Sequence, residues 1–244
     1  MKVMTGSYNE TVSTQFSKGV RDKISEVKAS KKIVYSEIFP NTFIKKGDGA
    51  SNMWSLQGGY ANYLATSPTG TATGFGADLM IIDDVIKSAY EANNANILSG
   101  HWEWFTNTML SRLEKNGKII VIMTRWHSKD LAGRIIEEMP KNGYSLKHIG
   151  MKALQDDGSM LCVDILDKKG FDMKFKSMGE DIAMANYQQT PIDLKGRLYS
   201  NFKIYDDMDI PFTQRRVYVD TADTGADYLC AIAYGIYQKE AILS

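Results

Sequence analysis

Cysteine is nearly absent from this chain of 244 residues: Cys162 and Cys230 are the two that occur. That is too few for a disulfide framework, so both thiols are expected as small core residues in a reducing cytoplasm. Proline is scarce as well, with five residues, while 43% of the chain is hydrophobic and 24% charged. This balance excludes disordered, collagenous and coiled-coil classes. No apolar run, Ile119 to Met123 included, approaches the roughly 20 residues needed to span a bilayer. The start, Met1-Lys2-Val3-Met4 followed by polar residues, lacks the basic-then-apolar pattern of a secretion signal. Net charge is missing too, with 29 basic residues against 29 acidic ones. A histone-like coat for DNA is thereby disfavoured, but a nucleic-acid enzyme with one basic face is not. Residues 1–77 carry nine basic and five acidic side chains, so the basic excess lies in the first third.

What is present is a chain of about one and a half average domains with alternating strand and helix signals. Lys2 to Gly6 reads as a strand. Ser7 to Ala29 then repeats apolar residues at Val12, Phe16, Val20, Ile24 and Val27, one face of an amphipathic helix that Ser7 or Asn9 can cap. A shorter helix is expected over Lys32 to Phe39, stopped by Pro40. Met53 to Gln57 and Tyr60 to Ala65 predict strands joined by a turn at Gly58-Gly59. Leu79 to Ile82 and Lys118 to Met123 read as strands buried on both faces. Tyr90 to Leu113, interrupted at Gly100, and Lys129 to Met139, closed by Pro140, read as helices. Further on, strands are expected over Tyr144 to Ala153 and Ser159 to Ile165 around the turn Asp156-Asp157-Gly158, then a helix from Gly179 to Gln189. The alternation predicts an α/β domain around a mainly parallel sheet. After a linker at 193–214, strands at Arg216 to Thr221, Tyr228 to Tyr237 and from Glu240 predict an antiparallel meander that opens a second domain.

Chemistry in such sheets gathers beyond the carboxyl ends of the strands. Two acidic groups lie at strand ends. Leu79-Met80-Ile81-Ile82-Asp83-Asp84 has the form of a Walker B segment. There a rigid strand holds one carboxylate beside a nucleotide's magnesium, and the next acidic residue polarises the attacking water. Apolar runs ending in aspartate also occur as ordinary caps and turns. The phosphate-gripping Gly-x-x-x-x-Gly-Lys-Ser/Thr is absent, and Gly70-Thr71-Ala72-Thr73-Gly74-Phe75-Gly76 lacks its lysine. The second group is Asp220, Asp223 and Asp227. Asp220 ends a strand, where a fixed carboxylate suits two-metal phosphodiester hydrolysis; taken alone, an acidic hairpin turn is the simpler account. His101, His127 and His148 have no zinc-ligand spacing. Trp102 and Trp104 read as packing residues.

The order of these motifs resembles the large terminase subunit of tailed bacteriophages, a DNA-packaging ATPase followed by a nuclease. The resemblance rests on SYNETVSTQFSKGVRDKI at Ser7 to Ile24 and TGFGADLMIIDD at Thr73 to Asp84. It continues through WEWFTNTMLSRLEKNGKIIVIMTRWHSKDLAGRI at Trp102 to Ile135, YQQTP at Tyr187 to Pro191, and VYVDTADTGADYLCAIAYG at Val217 to Gly235. It implies a P-loop-type ATPase core over residues 1–196 with its first Walker A unit missing. Residues 197–244 would be a linker and the first strands of a ribonuclease-H-like domain. Asp83 then matches the magnesium carboxylate and Asp84 the catalytic one, where many relatives carry Glu. Thr124 and Arg125 fall on the coupling motif that senses the γ-phosphate. Asp220 matches the first nuclease metal ligand, with Asp227 near the metals. The implied cofactors are Mg2+ (or Mn2+) and ATP. The implied partners are double-stranded DNA, the portal protein, the small terminase subunit and further copies on the procapsid, in the host bacterial cytoplasm and without a membrane. Lacking Walker A and the later nuclease carboxylates, the chain alone is expected to be inactive. A helicase-like P-loop ATPase and a non-catalytic module binding DNA or a partner through the basic first third are the alternatives.

Overall fold

The computed structural model describes residues 1–28, 32–70, 72, 74–191, 211–220, 230–237 and 240–243. The chain forms two compact units, Met1–Lys195 and Gly196–Ser244.

The first unit is an α/β structure around a six-stranded, mainly parallel mixed sheet. Its strands are β1 (Val3–Gly6), β2 (Ile44–Gly49), β3 (Met53–Leu56), β4 (Tyr63–Thr66), β5 (Ala77–Asp83) and β6 (Leu113–Ile122), in the order β2-β3-β4-β1-β5-β6. β4, β1, β5 and β6 run parallel, whereas β2, β3 and β4 are joined antiparallel. The predicted hairpin is β3–β4, and Gly58 in its connection takes φ +79, a conformation open to glycine. Helices are α1 (Glu10–Ile24), α2 (Tyr35–Ile38), α3 (Ala89–Ala92), α4 (Ala95–Glu103), α5 (Leu131–Glu138), α6 (Lys168–Met178) and α7 (Glu180–Gln188).

Parallel pairing puts Met4, Met80 and Ile119 on one face of the sheet, with Gly6, Ile82 and Val121. This face is packed. Phe105, Met109, Leu131, Ile135 and Met139 fill it from the helices that follow β5 and β6. The Trp104 ring lies so close to β1 that a Cβ on Gly6 would stand 2.7 Å from it, so glycine is required there. On the opposite face α1 packs over β1 and β4, near a smaller cluster of Trp54, Tyr63 and Ala65. The same face of β5 and β6 carries Leu79, Ile81, Ile120 and Ile122. Ile120 and Ile122 remain 46% and 55% exposed. Among the described residues β6 has a strand neighbour on one side only.

Several expectations are corrected. Helix α1 does not bury its apolar stripe: Phe16 and Val20 are 47% and 42% exposed, and Val27 lies beyond the helix. Ser13 and Ser17 face the sheet instead, because small side chains permit close approach and the Trp54 indole donates to Ser17 Oγ at 2.9 Å. The helix predicted from Tyr90 does not break at Gly100. It breaks at Asn93-Asn94, whose second side chain caps α4, and it closes through a π-helical stretch at Trp104–Met109 and a 3-10 turn at Leu110–Arg112. No strand forms over Tyr144–Ala153 or Ser159–Ile165; a single bridge, Leu154 with Met160, spans the Asp157-Gly158 turn. A strand needs a second edge to satisfy its backbone, and none of the described strands pairs with these segments. Helix α6, capped by the Asp167 carboxylate, was not foreseen. Cys162 is exposed rather than buried.

In the second unit β7 (Gln214–Asp220), β8 (Cys230–Tyr237) and β9 (Glu240–Leu243) form the expected antiparallel meander. Among the described residues, no helix is long and apolar enough to cross a membrane.

Candidate functional site

Asp83 is the last residue of β5 and pairs in register with Ile122 of β6. Residues alternate faces along a strand, which puts Asp83 on the face shared by Ile81, Ile120 and Ile122. At Asp84 the chain turns sharply, with φ +44. Aspartate tolerates the left-handed region better than most side chains, at a cost of about 1 kcal/mol. The turn is held to β6, where the Asp84 N–H donates to the Ile122 carbonyl at 2.9 Å, and the Thr124 amide lies near enough to the Asp84 carboxylate to favour its charged form. The structure therefore brings Asp83, Asp84 and Thr124 together where two adjacent parallel strands end.

The electrostatics of this pair are unusual for surface carboxylates. Burial raises the Asp83 pKa above the ordinary aspartate value. Asp84 is raised by burial and then by the charge of Asp83, against which the Thr124 amide acts. One Asp84 carboxylate oxygen is buried and has no hydrogen-bond partner among the described residues. Buried polar atoms are nearly always partnered, so this oxygen is an acceptor waiting for a donor or a cation.

Arg125 has a place inside the fold. Its Nε lies 3.1 and 3.2 Å from the two oxygens of Asp130, which is fully buried. Asp130 also accepts from the Gly133 N–H at 2.7 Å, capping α5, and from the His127 N–H at 3.2 Å. A Cβ at Gly133 would stand 1.9 Å from the Ser128 carbonyl oxygen and 2.8 Å from the Arg125 guanidinium. Residues 124–133 are thus a compact turn organised on one carboxylate. Two further residues complete it. The Arg125 N–H donates to Gln189 Oε1 at 3.2 Å, and Gln188 forms paired bonds to the Leu154 backbone, accepting at 3.0 Å and donating at 3.1 Å. Sequence reasoning assigned no role to Asp130, Gly133, Gln188 or Gln189. The first was legible as an acidic residue directly before a helix; the glutamines act across 34 and 64 positions, a separation no local pattern encodes.

In the second unit Asp220 ends β7, opposite Cys230. Asp223 and Asp227, the other members of the predicted acidic group, lie outside the described residues. Among the described residues, no group of three or more His, Cys, Asp or Glu side chains is placed to hold a metal. Asp83 and Asp84 make a smaller donor set. Magnesium commonly takes one or two carboxylates and completes its shell with phosphate and water oxygens. The unpartnered Asp84 oxygen fits that role. Comparison with protein-family models and with curated proteins gives no match for the chain.

Proposed function

We propose that the chain is part of a large terminase subunit, in which the first unit contributes the magnesium carboxylates of an ATPase and the second the opening strands of a ribonuclease-H-like nuclease. The observation that carries the reading is the Asp83–Asp84 pair. It stands at the carboxyl end of a parallel strand, beside the Thr124 amide, and bears one buried oxygen without a partner among the described residues. When bound, Mg2+ would neutralise charge on a nucleotide's phosphates. Asp83 and Asp84 would hold it, Asp84 would orient water, and the backbone bond to Ile122 keeps Asp84 in place. The bare face at Ile81, Ile120 and Ile122, with the outer edge of β6 open, supports a further strand and helix carrying the phosphate-gripping loop. In the intact protein ATP hydrolysis would drive double-stranded DNA into a procapsid, and Asp220 would serve concatemer cutting.

The test is to express the reading frame with and without its upstream DNA. The 244-residue chain alone is expected to hydrolyse no ATP above background. An upstream in-frame Gly-x-x-x-x-Gly-Lys-Ser/Thr, and a DNA-stimulated rate that disappears in Asp83→Ala, support the reading. DNA-stimulated hydrolysis by the short chain, lost in Asp83→Ala, would overturn its predicted inactivity, and an upstream frame without that loop would remove the motor assignment.

A further inference from the structure

Gln189 sits immediately after α7, in the left-handed conformation with φ +56. A non-glycine residue is held there only when its surroundings demand it. Its side-chain amide spans two backbones: Oε1 accepts from the Arg125 N–H at 3.2 Å and Nε2 donates to the Asn186 carbonyl at 3.0 Å. The second bond fixes which end of the amide faces Arg125. Arg125 lies three residues past Ile122, whose carbonyl accepts from the Asp84 N–H at 2.9 Å. The preceding Gln188 grips Leu154, so two successive glutamines tie the end of α7 to two separate stretches of backbone.

We infer that Gln189 is a positioning residue for the Asp83–Asp84 site. Through the Arg125 amide it sets the 124–130 turn, which continues directly from the strand end whose Ile122 carbonyl holds the Asp84 backbone. This rests on the reading of Asp83 and Asp84 as cation-binding groups, and the two are separable by measurement.

The experiment uses the full 244-residue chain and the variants Gln189→Gly, Gln189→Glu and Gln188→Ala. Glycine accepts φ +56 without strain, so Gln189→Gly removes the side chain while leaving the fold intact. Hydrogen exchange at the Arg125 amide is expected to accelerate about tenfold in Gln189→Gly with an unchanged melting temperature. Gln189→Glu keeps an acceptor oxygen and is expected to restore Arg125 protection. Gln188→Ala is expected to expose the Leu154 amide and leave Arg125 protected. Mn2+, followed by its electron paramagnetic resonance signal, is expected to bind roughly tenfold more weakly to Gln189→Gly than to the unaltered chain. Unchanged Arg125 exchange in Gln189→Gly overturns the inference, as does unchanged Mn2+ affinity in that variant. An unaltered chain that takes up no Mn2+ overturns the cation reading instead, and the clamp is then decided by Arg125 exchange alone.

Discussion

Strands β5 and β6 present two faces of nearly the same composition with opposite fates. Met80 and Ile82 are fully buried on one, while Ile120 and Ile122 stand about half exposed on the other. The side chains are equally apolar, and the register that alternates them is regular from Leu79 to Asp83. The difference lies in what is opposite. The packed face meets Phe105, Met109, Leu131 and Ile135, all from segments that directly follow β5 or β6 in the chain. The bare face would need a layer that the described residues do not supply. Burial in a parallel sheet is therefore a property of the covering layer as much as of the strand, and the carboxylate of Asp83 shares the uncovered side.

The contrast can be broken hardest at Asp130, whose carboxylate organises the turn leading into α5 and so the cover of the packed face. Asp130→Ala strands the Arg125 guanidinium and removes the α5 cap. A loss of about 3–5 kcal/mol is expected in denaturant unfolding. A loss below about 1 kcal/mol would show that the turn is held by other contacts.

A paired truncation measures the faces directly. Ile82→Ala is expected to cost roughly 2–5 kcal/mol through lost transfer energy and a cavity. Ile122→Ala, still wetted by solvent, should cost less than about 1 kcal/mol. Equal losses would mean that the bare face is covered in solution.

The smallest effect is expected at the rim of the bare face. Burial and the neighbouring charge of Asp83 raise the Asp84 pKa in the folded state, so folding binds its proton more tightly than the unfolded chain does. Stability from this group is greatest below the ordinary carboxylate pKa and is lost as pH rises through the raised one. Asp84→Asn keeps a residue suited to left-handed backbone and removes the charge. If the gain is about 1 kcal/mol, melting at neutral pH rises by roughly 2–4 °C, and the dependence on weakly acidic pH flattens. A lower melting temperature in Asp84→Asn would count against a strained, charge-burdened turn.

Much of the central sheet was legible because its signals are local. Leu79 to Ile82 and Lys118 to Met123 read as strands from their own composition, although the expected burial on both faces fails at Ile120 and Ile122, and Gly58-Gly59 marked the hairpin. Asp83 and Asp84 were legible as carboxylates at a strand tip, which requires only the end of an apolar run. The misreadings share one cause. The periodicity of Val12, Phe16, Val20 and Ile24 predicts a helix, and α1 is there, but which side meets the sheet was decided by Ser17 and Trp54 at a distance of 37 positions. Tyr144 to Ala153 has strand-like composition, yet no described strand offers it a hydrogen-bonding edge.

By itself, then, the amino-acid order determined the central strands, helices α1 and α5 and the acidic residues that end β5 and β7, since those depend on neighbours within a few positions. Tertiary structure alone decided that the Ile122 carbonyl holds the Asp84 backbone, that Asp130 captures Arg125, and that Gln189 reaches across 64 residues to the same turn. Such contacts follow from the pairing of distant strands and the depth at which charges are buried, quantities that exist only once the chain has closed on itself.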